Sequence, residues 1–203
     1  ESYRDWGPLL DRLSRQLGVA FVLTSYASIH DFESALVDGA PDLAYMNPYH
    51  AVMVHKRPGY IPLVRDDSRP LRGILVVRRD SAIRTPLELA GQTVAFASPN
   101  AFSSALYMRA LLLSEFGLGI QPHYVGTHSN VYRHVILGRA AAGGGVPQTL
   151  EQEPQDLQGA LRIIYTTPGW PSHPLCSHPR LSETVRERIT QTLLAFSSED
   201  EGR

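Results

Sequence analysis

An α/β fold in two lobes is predicted by three features of the 203-residue chain. Apolar residues recur by turns at helical and at strand periods along the whole length. Residues 85–165 form a self-contained alternation of strands and helices, large enough for one lobe. The segments before and after that run must then pair to make the other lobe, so the chain crosses twice, near 73–79 and 161–166. The expected division is 1–75 with 168–203 as the first lobe and 76–167 as the second. A cleft between two such lobes is a natural ligand site.

Taken in order, residues 3–17 carry a helical stripe of Trp6, Leu9, Leu10, Leu13 and Leu17, with Gly18 placed to stop it. Residues 19–23 read as a strand, and 28–37 as a helix ended by Asp38-Gly39. Residues 43–46 are a short buried strand stopped at Asn47-Pro48, and Pro48 suits the first turn of a helix to about His55. Residues 61–65 and 73–79 are β-like, 86–89 a helical turn and 93–97 a strand. The strongest helix spans 101–116, with Leu106, Ala110, Leu113 and Phe116 in register and Gly117 closing it. Strands at 123–125, 140–144 and 161–165 then alternate with helices at 130–137 and 147–152. The last helix, 182–196, has Ser182 and Glu183 as a cap with an acidic first turn.

Bulk properties narrow the function. The net charge of −1 offers no basic field for nucleic acid or an anionic membrane. The apolar runs 74–77 and 111–113 are far short of a membrane span. Cys176 is the single cysteine, which excludes an internal disulfide and a multi-cysteine metal site. Gly143-Gly144-Gly145 is not followed by Lys-Ser/Thr, and there is no GxGxxG, so no nucleotide cofactor is expected. His173, Cys176 and His178 lie close in sequence, but no nucleophile signature surrounds the cysteine, and the neighbouring prolines suggest an extended connector. Asp66-Asp67 and the Glu151 and Glu153 pair read as solvated surface.

Three loop-to-helix or strand-end junctions carry chemistry. In Ser98-Pro99-Asn100-Ala101-Phe102-Ser103-Ser104, hydroxyl and amide groups sit beside free N–H groups at a helix start, a setting that favours an anion. Plain capping by Asn100 or Ser103 accounts for the same residues equally well. In Gly126-Thr127-His128-Ser129-Asn130, Ser129 reads as a cap, while His128 is either an oxyanion donor or an exposed loop histidine. Tyr45-Met46-Asn47-Pro48-Tyr49 ends a strand, where α/β sheets collect their sites, so Tyr45 and Asn47 are candidates to face a ligand.

Read together, these stretches resemble the phosphate/phosphite/phosphonate family of periplasmic substrate-binding proteins that serve ABC transporters. The matching residues are Asp42-Leu43-Ala44-Tyr45-Met46-Asn47-Pro48, Ala90-Gly91-Gln92-Thr93-Val94-Ala95-Phe96 leading to Pro99, and Arg109-Ala110-Leu111-Leu112. Gly126-Thr127-His128, Leu137-Gly138-Arg139-Ala140-Ala141-Ala142-Gly143-Gly144, and Thr166-Thr167-Pro168-Gly169-Trp170-Pro171-Ser172-His173-Pro174 complete the set in the family's order.

The resemblance implies a type II periplasmic-binding-protein-like α/β fold of two lobes and two crossover strands. It also implies a small oxyanion ligand, an ABC-transporter permease or a membrane sensor kinase as partner, a monomer, and a periplasmic or other extracytoplasmic location. Its anion-holding helix start, of Ser-Thr-Ser-Gly type in the family, corresponds here to Ala101-Phe102-Ser103-Ser104, with hydroxyls lost and an aromatic ring gained. The family's cleft aromatic resembles Tyr26, its turn histidine matches His128 beside Thr127, and its hinge-side loop resembles 170–173, with Trp170 and His173. Family members begin with a Val-Gly-Val strand before the helix that starts here near Tyr3, and continue past the last helix. A chain trimmed at both ends is therefore the expectation.

Overall fold

The computed structural model describes residues 2–197 and divides the chain into two compact units, Glu1–Asp66 with His173–Arg203 and Asp67–Ser172. Unit 1 opens with α1 (Ser2–Leu17), α2 (Ile29–Val37), β1 (Leu43–Tyr45), α3 (Pro48–His55) and β2 (Ile61–Arg65). Unit 2 holds β3 (Ile74–Arg78), β4 (Thr93–Phe96), a π-helical turn (Phe102–Leu106) running into α4 (Tyr107–Ser114), and β5 (Gln121–Tyr124). It continues with α5 (His128–Ile136), β6 (Ala142–Gly145), α6 (Pro147–Glu151), α7 (Gln155–Gly159) and β7 (Leu161–Thr166). The chain re-enters unit 1 for β8 (Pro174–Ser177) and α8 (Glu183–Ser197).

In unit 1, β8 lies between β1 and β2 and pairs antiparallel with both. The expected extended connector is thus the central strand of this sheet. Pro174 sits at its first position, where a missing N–H is tolerated. The Cys176 side chain is fully buried with Leu36, Met46, Val54 and Tyr60, and burial pushes its thiol up to about 11. Tyr60 donates to the Pro41 carbonyl at 2.6 Å. Residues 19–23, expected as a strand, are irregular and leave Val22 exposed. A strand exists through the ladder of a neighbour, and among the described strands none pairs with this segment.

Unit 2 has a five-stranded sheet in the order β5-β4-β6-β3-β7. β4 pairs parallel with β5 and β6, while β3 runs antiparallel to β6 and β7. The glycine run of β6 has a packing reason. A Cβ on Gly144 would overlap the Ser104 carbonyl and the Phe96 ring, and one on Gly143 would lie 2.5 Å from Val131. A Cβ on Gly73 would likewise strike the Ser103 carbonyl. The start of the long helix is therefore seated backbone-on against two glycines. It is also wider than the periodicity of 101–116 foretells: the Ala101 carbonyl accepts from both Ala105 N (2.9 Å) and Leu106 N (3.1 Å). Such π-turns gather at functional sites.

Before β3 and after β7, Leu71 and Trp170 exchange N–H···O bonds of 2.8 and 2.9 Å. The buried Thr167 hydroxyl accepts from Gly73 N at 2.9 Å, and Arg72 donates to the Thr167 carbonyl at 3.1 Å. Both expected crossing strands belong wholly to unit 2. The units divide at 66/67 and 172/173 instead of 75/76 and 167/168.

Candidate functional site

The Ser98–Ser104 junction of unit 2 joins β4 to the π-turn. Helix geometry leaves the N–H groups of Phe102, Ser103 and Ser104 without intrahelical acceptors. Ser103 and Ser104 are buried, and Ser98 Oγ is buried with no hydrogen-bond partner. Asn100 stands in the loop between Ser98 and the turn. Ala101 holds the N-cap position and makes no side-chain cap bond, and Ser103 lies inside the turn instead of at its cap. Arg109 steadies the loop by donating to the carbonyls of Pro99 (3.0 Å) and Ala105 (3.3 Å).

The next junction lies at the same end of the sheet, because β5 is β4's parallel neighbour and Val125 N and Gly126 N donate to the Phe96 and Ala97 carbonyls. Thr127 caps α5, its hydroxyl accepting from Asn130 N at 3.1 Å. Ser129 is not the cap. Its hydroxyl donates to Glu153, which is buried and also lies 3.9 Å from Arg133, so Glu153 is not solvated surface. An acid 24 residues away gave no sequence signal for this link. His128 Nδ1 is buried without a partner, and burial pulls the imidazole below its ordinary range, so the ring is neutral at neutral pH.

Trp170 joins this region through its ring. Phe102 and Tyr107 stack nearly parallel (6.0 Å, 8°), and Trp170 stands edge-on to both at 5.7 and 5.3 Å. Trp170 is nevertheless 42% exposed. Tyr107 is the member that sequence reasoning missed; its i+5 spacing from Phe102 faces the same way only because the intervening turn is π.

In unit 1, Tyr45 at the end of β1 stacks on His173 just before β8 (5.3 Å, 26°) and packs against Trp6 (4.9 Å). Tyr45 is half exposed, and its hydroxyl is pushed up by burial and by Asp66. Burial, aided by the nearby His50, pulls His173 down to about 4. Asn47 is buried as the N-cap of α3, its Oδ1 accepting from His50 N at 2.9 Å. Tyr26 sits apart from Tyr45 among the ring contacts, packing on Phe32, which is edge-on to His50. His50 itself is buried, 2.9 Å from Glu33, and nothing but its place after Asn47-Pro48 hinted at it. Along β8 the three grouped residues go separate ways: His173 to Tyr45, Cys176 into the core, His178 against Tyr60 and Arg180. They assemble neither a metal centre nor a Cys/His pair.

The family described as the phosphonate ABC transporter, periplasmic substrate-binding protein, matches residues 1–203. Among solved structures, PhnD1 from Prochlorococcus marinus in complex with methylphosphonate superposes with a TM-score of 0.82 at 17% identity, over 97% of this chain and 80% of that one. XAC2383 from Xanthomonas citri bound to ATP gives 0.78 at 21% identity, over 98% and 81%. These similarities give the type II periplasmic-binding fold that the family resemblance implies. The tetrathionate sensor histidine kinase of Salmonella typhimurium is 23% identical over 218 residues, covering 93% of this chain; the chain spans about a third of that relative, 36% of its length.

Proposed function

The chain belongs to the family of periplasmic substrate-binding proteins of phosphonate ABC transporters, and on that premise we propose that it captures a small oxyanion for import through a permease, without catalysis. One observation carries the reading. Two buried polar atoms without partners, Ser98 Oγ and His128 Nδ1, follow the ends of the neighbouring parallel strands β4 and β5, and the N–H groups of residues 102–104 open the helix that follows β4. Unsatisfied buried polar atoms cost about 1–3 kcal/mol each, a penalty that a ligand's oxygens or hydroxyl would relieve. Neutral donors and backbone dipoles hold the anion here, because burial keeps His128 uncharged.

The proposed contacts in unit 2 are Asn100, Phe102, Ser103, Ser104, Thr127, His128 and Trp170; in unit 1 they are Tyr26, Tyr45, Asn47 and His173. Thr127 and Asn47 act through the helix starts they cap. An extracytoplasmic location and a monomeric state go with this reading. The buried, high-pKa Cys176 thiol speaks against a nucleophile.

The test is calorimetric titration and thermal shift with phosphate, phosphite, methylphosphonate, 2-aminoethylphosphonate, sulfate and arsenite. One anion raises the melting temperature with occupancy, and His128→Ala weakens it about tenfold or more. Absence of binding by all of them, with the protein folded, overturns the reading. The kinase similarity favours a second one, in which the same module reports its ligand to a membrane receptor. A membrane helix and kinase region in the same reading frame distinguishes it from import, and tetrathionate joins the titration for that reason.

A further inference from the structure

Resting on the oxyanion reading, we infer that the ligand carries an apolar substituent next to its charged group, and that Phe102 selects it. The donors and the rings belong to the same few residues. Phe102 opens the turn whose N–H groups lack acceptors, and its ring stacks on Tyr107 with Trp170 standing across both. A large aromatic with 42% of its surface exposed leaves ring area for a neighbour. Trp170 is not a loose surface residue, since its backbone is bonded in both directions to Leu71. The ring cluster is thus fixed in place and open, beside the open donors.

The local charges favour a plain apolar group over an amine. Residues 96–109, 125–132 and 166–172 contain no Asp or Glu, so none of these stretches offers an ammonium a carboxylate. The nearby acid Glu153 is engaged by Ser129 and Arg133. An inorganic oxyanion would use the donors and leave the rings wet. An aryl or alkyl oxyanion uses both, gaining ring burial and edge-to-face contact.

The experiment titrates phenylphosphonate, methylphosphonate, 2-aminoethylphosphonate and inorganic phosphate into the 203-residue chain and into Phe102→Ser and Phe102→Leu. Phenylphosphonate binds the parent about tenfold tighter than phosphate or 2-aminoethylphosphonate. Phe102→Ser brings the ratio of phenylphosphonate to phosphate affinity close to one, whatever it does to phosphate binding itself, and Phe102→Leu retains part of the preference. Far-UV circular dichroism and melting of the ligand-free variants separate selectivity from misfolding, with Phe102→Leu as the conservative check. Phosphate or 2-aminoethylphosphonate binding as tightly as phenylphosphonate, or a preference unchanged in Phe102→Ser, overturns this inference and leaves the oxyanion reading standing. Failure of all four to bind the folded parent overturns both.

Discussion

In unit 1 the candidate residues are rings carried at strand ends, Tyr45 after β1 and His173 before β8, stacked on each other and on Trp6. In unit 2 the candidates are largely backbone: a π-turn with unspent N–H groups, whose carbonyls rest on Gly73 and Gly144. Side-chain contacts are changed one at a time. Backbone donors depend on whatever lets the backbone sit where it does, so in unit 2 the sensitive positions include the glycines on which the turn rests.

The largest expected effect follows from that contrast. Gly144→Val pushes branched carbons into the Ser104 carbonyl and the Phe96 ring, and costs about 3 kcal/mol in urea unfolding. An unchanged unfolding midpoint would erase the distinction between the units.

Next comes pH. His173 has a folded pKa of about 4 against an ordinary 6.5. The unfolded chain therefore binds more protons between those values, and stability rises with pH across them. The contribution is present in full above about 6.5 and lost as pH falls toward 4. His173→Phe keeps a ring against Tyr45 and removes about 1–3 kcal/mol of that pH dependence. His50, His128 and His178, also depressed by burial, contribute to the slope that remains. Stability curves of parent and variant that stay parallel from pH 4 to 7 would count against a buried, neutral His173.

The smallest effects are the caps, where the units behave alike. Asn47→Ala and Thr127→Ala each lower stability by about 1 kcal/mol, read by thermal melting. A loss at Asn47 several times larger would sharpen the comparison, by giving the residue a second duty beyond α3.

Helices were legible where caps and stripes agreed. Ser182 precedes α8 with its hydroxyl accepting from Val185 N, and Pro48 opens α3, as expected, whereas the capping roles of Ser28 and Asn47 emerge only in the structure. Strands were less legible, since their existence depends on partners distant in sequence. Residues 19–23 have the composition without the ladder, whereas β8 has the ladder under prolines that disguise it. Of the candidate site, local chemistry marked the helix starts and left His128 open between an oxyanion donor and a loop histidine; the family resemblance singled it out. The π-turn, Tyr107 and the Ser129–Glu153 link were not, because each rests on packing from elsewhere in the chain: Gly73 and Gly144, the widened helix, and an acid two elements on.

The reciprocal bonds between Leu71 and Trp170 bear on how the chain folds. The sheet of unit 1 cannot be completed until β8, encoded beyond all of unit 2, reaches β1 and β2. Bringing it there from an unfolded chain means closing a long loop against its entropy. Once β3 and β7 have zipped together, that loop is already drawn shut at residues 71 and 170, and only short tethers remain on either side. Loop-closure entropy therefore favours an order in which the inserted unit forms first and the first-encoded unit is completed last.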